Sequence, residues 1–304
     1  MWHGILIVNK ERGLTSHQVV AELRRILRQS EIGHTGTLDP EATGVLVVGL
    51  GQATRSFSFL AENIKVYQAE IILGQTTDSY DATGKIVTQN LEMNVTAAEL
   101  IQAVSKLTGS LQQLPPMFSA VKIQGKKLYD LARMGLTVER QERPIVVHSW
   151  KLFDEKYNYS FRDRFESEIV CSKGTYIRAL INDLGMSLGC GAHMGRLIRL
   201  ASGEFSLANA VTLAQVKEFL ADGCLAEIIL PMNVALKHLP AIELDEVDLV
   251  KIKNGGKISY YKYHFETKTG TLVRVLDQLQ KVVAVARLEN GVEYQYWQPL
   301  KVFK

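Results

Sequence analysis

Cysteine is scarce, with three in 304 residues: Cys171, Cys190 and Cys224, far apart and without a CxxC pair. An odd, sparse set argues against a disulfide framework and fits reduced thiols in the cytoplasm. No apolar run reaches the roughly 18 residues that span a bilayer. The start, MWHGILIVNKERG, lacks the pattern of a signal peptide. The motifs of common cofactor chemistries are missing as well. No Gly-Lys is placed as a P-loop needs, and Gly49-Leu50-Gly51 lacks the third glycine of a dinucleotide fingerprint. There is no HExxH, no clustered Cys/His set and no GxSxG elbow. The seven histidines are scattered singly and read as surface or core residues rather than metal ligands. No metal and no cofactor are expected.

What is present is an ordinary globular composition, 46% hydrophobic and 22% charged, long enough for two domains. The net charge is only +3, but it is unevenly spread. From Lys251 to Lys304, ten Lys or Arg stand against four Asp or Glu, a local charge of +6 that leaves −3 for residues 1–250. A basic tail on a nearly neutral body fits a polyanion partner, with a solvated lysine face as the plain alternative.

HGILIVNK reads as a first strand. SHQVVAELRRIL follows as a helix, with Ser16 as N-cap and Val19, Val20, Leu23, Ile26 and Leu27 at helical spacing. ATRSFSFLAE reads as a short helix and IKVYQAEIILG as a strand. TAAELIQAVSKLTG has a capping box in Thr96 and Glu99, a stripe of Leu100, Ile101, Val104 and Leu107, and a closing Gly109. Strands are expected near Ile145–Leu152 and Ser160–Val170. Helices are expected over TYIRALINDLGMSLG, with Ile177, Leu180, Ile181, Leu184 and Leu188 on one face, and over TLAQVKEFLAD. The elements do not alternate in βαβ order, so an α+β fold around a mixed sheet is predicted. Past residue 235 only short β-like pieces follow, TLVRVLD and KVVAVARLE among them, which predicts a separate small all-β domain. Pro115 to Pro144 stands apart, with six basic and three acidic residues around a short amphipathic helix. It reads as a surface insertion or as an arm that closes over a polyanion.

The chemistry-bearing stretch is GHTGTLDPEATGVLVVGLGQATR, residues 33 to 55, with five glycines and one carboxylate before a proline. Pro40 biases Asp39 toward an extended backbone. Gly33, Gly36 and Gly44 permit tight turns and close approach by a flat ligand. A lone Asp-Pro is equally a common turn opener.

The full string resembles the catalytic motif of the TruB-type tRNA pseudouridine-55 synthases, and further elements follow in family order. Lys10-Glu11-Arg12-Gly13-Leu14-Thr15-Ser16 is similar to the family's KPxGxTS element, with Glu11 in place of the usual proline. Lys65-Val66-Tyr67 with TTDSYDATGK resembles its second motif, and PPMFSAVK with GKKLYDLARMG its insertion. Gly174-Thr175-Tyr176-Ile177-Arg178 resembles its GTYIR element, and Gly191-Ala192-His193 with Leu197 the segment after it. The tail is similar, more loosely, to a PUA-type RNA-binding domain.

The resemblance implies a pseudouridine-synthase-like fold: a mixed, largely antiparallel sheet flanked by helices. It implies a catalytic domain over 1–235 with an inserted RNA-gripping arm at about 112–145, and a PUA-like domain over 236–304. It implies isomerisation of uridine 55 in the tRNA TΨC arm by a monomer in the cytoplasm, with no guide RNA, protein partner or membrane. Asp39 would be the nucleophile or base. Phosphates and loss of water favour a protonated carboxylate, and Arg178 is the family's candidate for keeping it charged. Tyr67 would stack on the flipped base, and Tyr176 and Leu197 would line the pocket. Asp81 would bind a polar edge of uracil or cap its own turn. His34 would enter the space the base vacates, and Lys10 and Lys122 would contact phosphate or support loops. Two other readings are an RNA-binding or tRNA-folding module with incidental catalysis, and a small-metabolite enzyme. The basic tail and arm speak against the second.

Overall fold

In the computed structural model of the chain, the described residues are 1–61, 63–119, 122–123, 125–136, 138–153, 156–292 and 294–303. For 122, 123, 126, 127, 130, 132 and 133 the backbone alone is described. The backbone forms two compact units. One is Met1–Pro40 with Leu46–Ala61 and Ala208–Lys304; the other is Glu41–Val45 with Glu62–Leu207. The strand Thr43–Leu50 contributes to both.

In the first unit the strand Gly4–Lys10 lies between Thr43–Leu50 and the short strand Ile229–Leu230. Ile32–His34 pairs antiparallel with Thr43–Leu50, His34 opposite Val48. Helix Ser16–Leu27 buries Val19, Val20, Leu23 and Leu27 in a core that also holds Leu6, Val8, Leu46, Val48 and Leu50. Its N-cap is Thr15, not Ser16. The Thr15 hydroxyl accepts from Gln18 N–H while the Gln18 side chain accepts from Thr15 N–H. The Ser16 hydroxyl is used elsewhere, as described below.

The C-terminal five-stranded sheet has the order Ala241–Glu243, Leu272–Leu276, Val282–Asn290, Gln295–Val302, Ile258–Ser259. Its core centres on fully buried Trp297, stacked against Phe265 at 5.9 Å. One helix, Glu246–Lys253, was not expected from sequence. It buries Asp248 with Leu249 and Ile252 while Val247 and Val250 point outward. Apolar residues therefore lie on both its inner and its outer face. Lys262 Nζ and the Tyr263 hydroxyl both donate to Asp248, which is how a carboxylate is accommodated there.

The second unit is built on an antiparallel sheet in the order Ala192–Ser202, Ile64–Leu73, Arg164–Ser172, Arg143–Phe153, Gly109–Gln113. At its edge Thr43 and Gly44 pair parallel with Ile198 and Arg199, which makes the sheet mixed. Helices Ala97–Lys106 and Ile177–Ser187 accompany it. The Thr96–Glu99 capping box is present, but Ile101 is 62% exposed and Ala103 takes its place in the buried stripe. The arm holds two-residue strands at Lys122–Ile123 and Lys126–Lys127 and the helix Leu128–Arg133. The fold class read from sequence, α+β with a small β domain at the C-terminus, is the one observed.

Candidate active site

The Asp39–Pro40 turn is held through the backbone groups of both neighbours of Asp39. Gly13 N–H donates to the Pro40 carbonyl at 2.9 Å, and Lys10 Nζ donates to the same oxygen at 3.0 Å. Lys10 is 0% exposed, and its ammonium also reaches the carbonyls of Glu11 and Leu14 at 3.0 and 2.7 Å. On the other side of Asp39, Leu38 N–H donates to Ser16 Oγ at 2.9 Å and the hydroxyl returns to the Leu38 carbonyl at 3.3 Å. Both neighbours of Asp39 are thereby fixed to the KERGLTS element, which leaves the carboxylate half-buried on a held loop. In this structure Lys10 supports loops, with its buried ammonium donating to three backbone carbonyls. Ser16 was singled out as a cap; its task here was invisible without the loop it meets.

Two glycines of this stretch, Gly44 and Gly49, are accounted for by the protein's own packing. At Gly44, φ is +98° and a Cβ would lie 2.3 Å from the Arg199 carbonyl oxygen. A Cβ on Gly49 would strike the Phe57 ring at 2.4 Å. At Gly44, one of the three glycines read as admitting a flat ligand, the atoms in close approach are those of the Arg199 backbone, and at Gly49 they are those of the Phe57 ring. His34 lies at the end of its strand with its ring edge-on to His17 at 5.1 Å.

In the second unit Tyr67 and Leu197 share a face. Leu197 pairs with Ala69 and Arg199 with Tyr67 across antiparallel strands, so all four point the same way, and all are buried. Arg178 follows Tyr176 at the start of helix Ile177–Ser187 and is 4% exposed. It is thus no helix-surface charge. Its Nη1 donates to the Ser79 carbonyl at 3.2 Å and its Nη2 to the Phe118 carbonyl at 2.5 Å. The Tyr176 ring lies 6.0 Å from the guanidinium carbon. Asp81 caps its own turn: Oδ1 accepts from Thr83 N–H at 3.0 Å, Thr83 Oγ1 at 2.6 Å and Ser79 Oγ at 2.7 Å. The turn-capping alternative is therefore the one observed for Oδ1. Lys122 lies in a short strand, and its side chain is outside the described residues.

Two contributors escaped the sequence reading. Gln113 binds the Tyr176 backbone with both ends of its amide, and Ser79 links the Asp81 turn to Arg178. Their links to Tyr176 and Arg178 carry no local signal, because those partners lie 63 and 99 positions away along the chain. His193 is buried with Nδ1 3.1 Å from the Gln75 carbonyl, and burial pushes its pKa down, which favours the neutral ring. Among the described residues no group of three or more His, Cys, Asp or Glu is placed to hold a metal, and no helix is long and apolar enough to cross a membrane.

Known proteins match this arrangement along the chain. The TruB family pseudouridylate synthase N-terminal domain matches residues 24–177, and the tRNA pseudouridylate synthase B C-terminal domain matches 178–237. A tRNA pseudouridine synthase B of Geobacillus thermodenitrificans is 45% identical over 307 residues, covering 99% of each chain. One of Bacillus cereus is 41% identical over 288 residues, covering 93% of this chain and 91% of the other. Among solved structures, a chain from an H/ACA RNP bound to a substrate RNA containing 2'-deoxyuridine is similar with a TM-score of 0.74 and 25% identity. That match covers 99% of this chain and 85% of that one. The held Asp-Pro turn and the GTYIR helix start each occur in a chain that belongs to the TruB family of pseudouridylate synthases.

Proposed function

We propose that this chain isomerises uridine to pseudouridine at position 55, in the TΨC arm of tRNA, with Asp39 as the reacting carboxylate. The observation that carries the reading is the anchoring of Asp39 from both sides, by Ser16 at Leu38 and by Lys10 and Gly13 at Pro40. A loop pinned through its backbone presents one acid with little freedom, which is what positioned catalysis requires. The reaction breaks the N1–C1′ bond, turns the uracil and joins C5 to C1′; the C5 proton leaves and N1 gains one. Addition to the ring, attack at C1′ and removal of the C2′ proton are the routes open to such a carboxylate.

The uridine leaves its stack at a cost of a few kcal/mol. Tyr67 is assigned as the stacking platform, worth about 1–3 kcal/mol, with Tyr176 and Leu197 as further walls and His34 as the residue that fills the vacated space. Arg178 is assigned to keep Asp39 charged, and the second carboxylate oxygen of Asp81 to meet a polar edge of uracil. Residues 1–235 form the catalytic domain with the arm at about 112–145. Residues 236–304 form a PUA-like domain whose +6 excess over Lys251–Lys304 suits the RNA backbone. The enzyme is taken to act as a monomer in the cytoplasm without guide RNA.

Asp39→Asn tests the reading on transcribed tRNA. Pseudouridine formation is expected to fall by roughly 1,000-fold or more while tRNA affinity stays within about threefold. Product made at the native rate by the variant would refute Asp39 as the reacting carboxylate.

A further inference from the structure

Gln113 is the last residue of the strand Gly109–Gln113, where the chain departs into the arm. Its side chain is 3% exposed, and a glutamine so covered needs partners for its amide. Both ends of that amide are used on one residue. Tyr176 N–H donates to Gln113 Oε1 at 2.8 Å, and Gln113 Nε2 donates to the Tyr176 carbonyl at 3.0 Å. The side chain pairs with Tyr176 as a neighbouring strand would.

Tyr176 is the N-cap of helix Ile177–Ser187 and makes no side-chain cap bond. The start of the helix is therefore set by bonds to the Tyr176 backbone: Leu180 N–H to its carbonyl at 3.1 Å, and the two shared with the Gln113 amide. Arg178, two residues on, donates to Phe118 in the first part of the arm. The base of the arm is closed by Arg140 Nη1 on the Pro115 carbonyl at 2.9 Å and by Arg143, the register partner of Gln113. Gln113 thus stands where the arm's base meets the wall made by Tyr176 and Arg178.

We propose that Gln113 is a positioning residue for the isomerisation: its amide holds the Tyr176 backbone so that the ring meets the flipped base in one orientation. This rests on the reading of Tyr176 as a pocket wall given under the proposed function.

Gln113→Met tests it, since methionine keeps the length and bulk of the side chain and removes both hydrogen bonds. In the free protein, hydrogen exchange of the Tyr176 amide is expected to accelerate about tenfold. In single-turnover reactions at saturating enzyme, pseudouridine formation is expected to slow about tenfold with tRNA affinity within about twofold. In a Tyr176→Ala background the same change should slow the reaction less than about threefold, because the ring it aims is gone. An unchanged exchange rate, an unchanged turnover rate, or equal slowing in both backgrounds overturns the proposal. The exchange measurement needs no turnover, so failure of the amide clamp is distinct from failure of the functional reading, which Asp39→Asn tests.

Discussion

Lys10 Nζ and the Pro40 carbonyl are joined by a 3.0 Å hydrogen bond that ties the end of the first strand to the residue after Asp39. The same ammonium serves Glu11 and Leu14, so one covered cation organises both the KERGLTS turn and the Asp-Pro turn. Lys10→Met should lower stability by about 2–4 kcal/mol, because three carbonyls lose a charged donor. It should leave the salt dependence of tRNA binding unaltered, whereas losing a phosphate contact reduces the log–log slope by about 1. Urea unfolding and a salt titration measure both; a shallower slope at undiminished stability would return Lys10 to the phosphate role.

Gly44→Ala should destabilise the fold by about 3 kcal/mol or more, since a Cβ at φ +98° meets the Arg199 backbone at 2.3 Å. Chemical denaturation reads this directly. Native stability in the variant would mean that the glycine serves an outside ligand instead.

Arg178→Lys should cost roughly 100-fold in single-turnover rate and less than about threefold in tRNA affinity. The fork of the guanidinium spans the Ser79 and Phe118 carbonyls, and a single ammonium on a flexible stem does not reproduce that geometry. Matching losses in rate and affinity would contradict a role in the reaction.

Burial pushes the Cys171 thiol up from 9.0 to about 11, with Thr175 and Lys65 pulling the other way. The folded state favours the neutral thiol while the unfolded chain ionises first. The contribution to stability is therefore intact below pH 9 and lost as pH rises through about 11. The full loss is about 2–3 kcal/mol. Unfolding curves for native protein and Cys171→Ala should draw together or cross by that amount across this window; curves that stay parallel would disprove the linkage.

Local pattern decided a good deal of this protein. The Thr96–Glu99 capping box and the spacing of Val19, Val20, Leu23 and Leu27 specify their helices because capping and amphipathic packing act within a turn or two of chain. The Asp39-Pro40 motif and GTYIR were readable for the same reason: each is a contiguous string. Helix Glu246–Lys253 was not, since its valines face solvent and a carboxylate faces the core. Tertiary structure alone decided that Ser16 serves Leu38 rather than a helix end, that Gly44 makes room for Arg199, and that Gln113 grips Tyr176 from 63 positions away. Those outcomes depend on which buried backbone groups are left needing partners once the sheets have assembled. No stretch of neighbouring residues encodes that requirement.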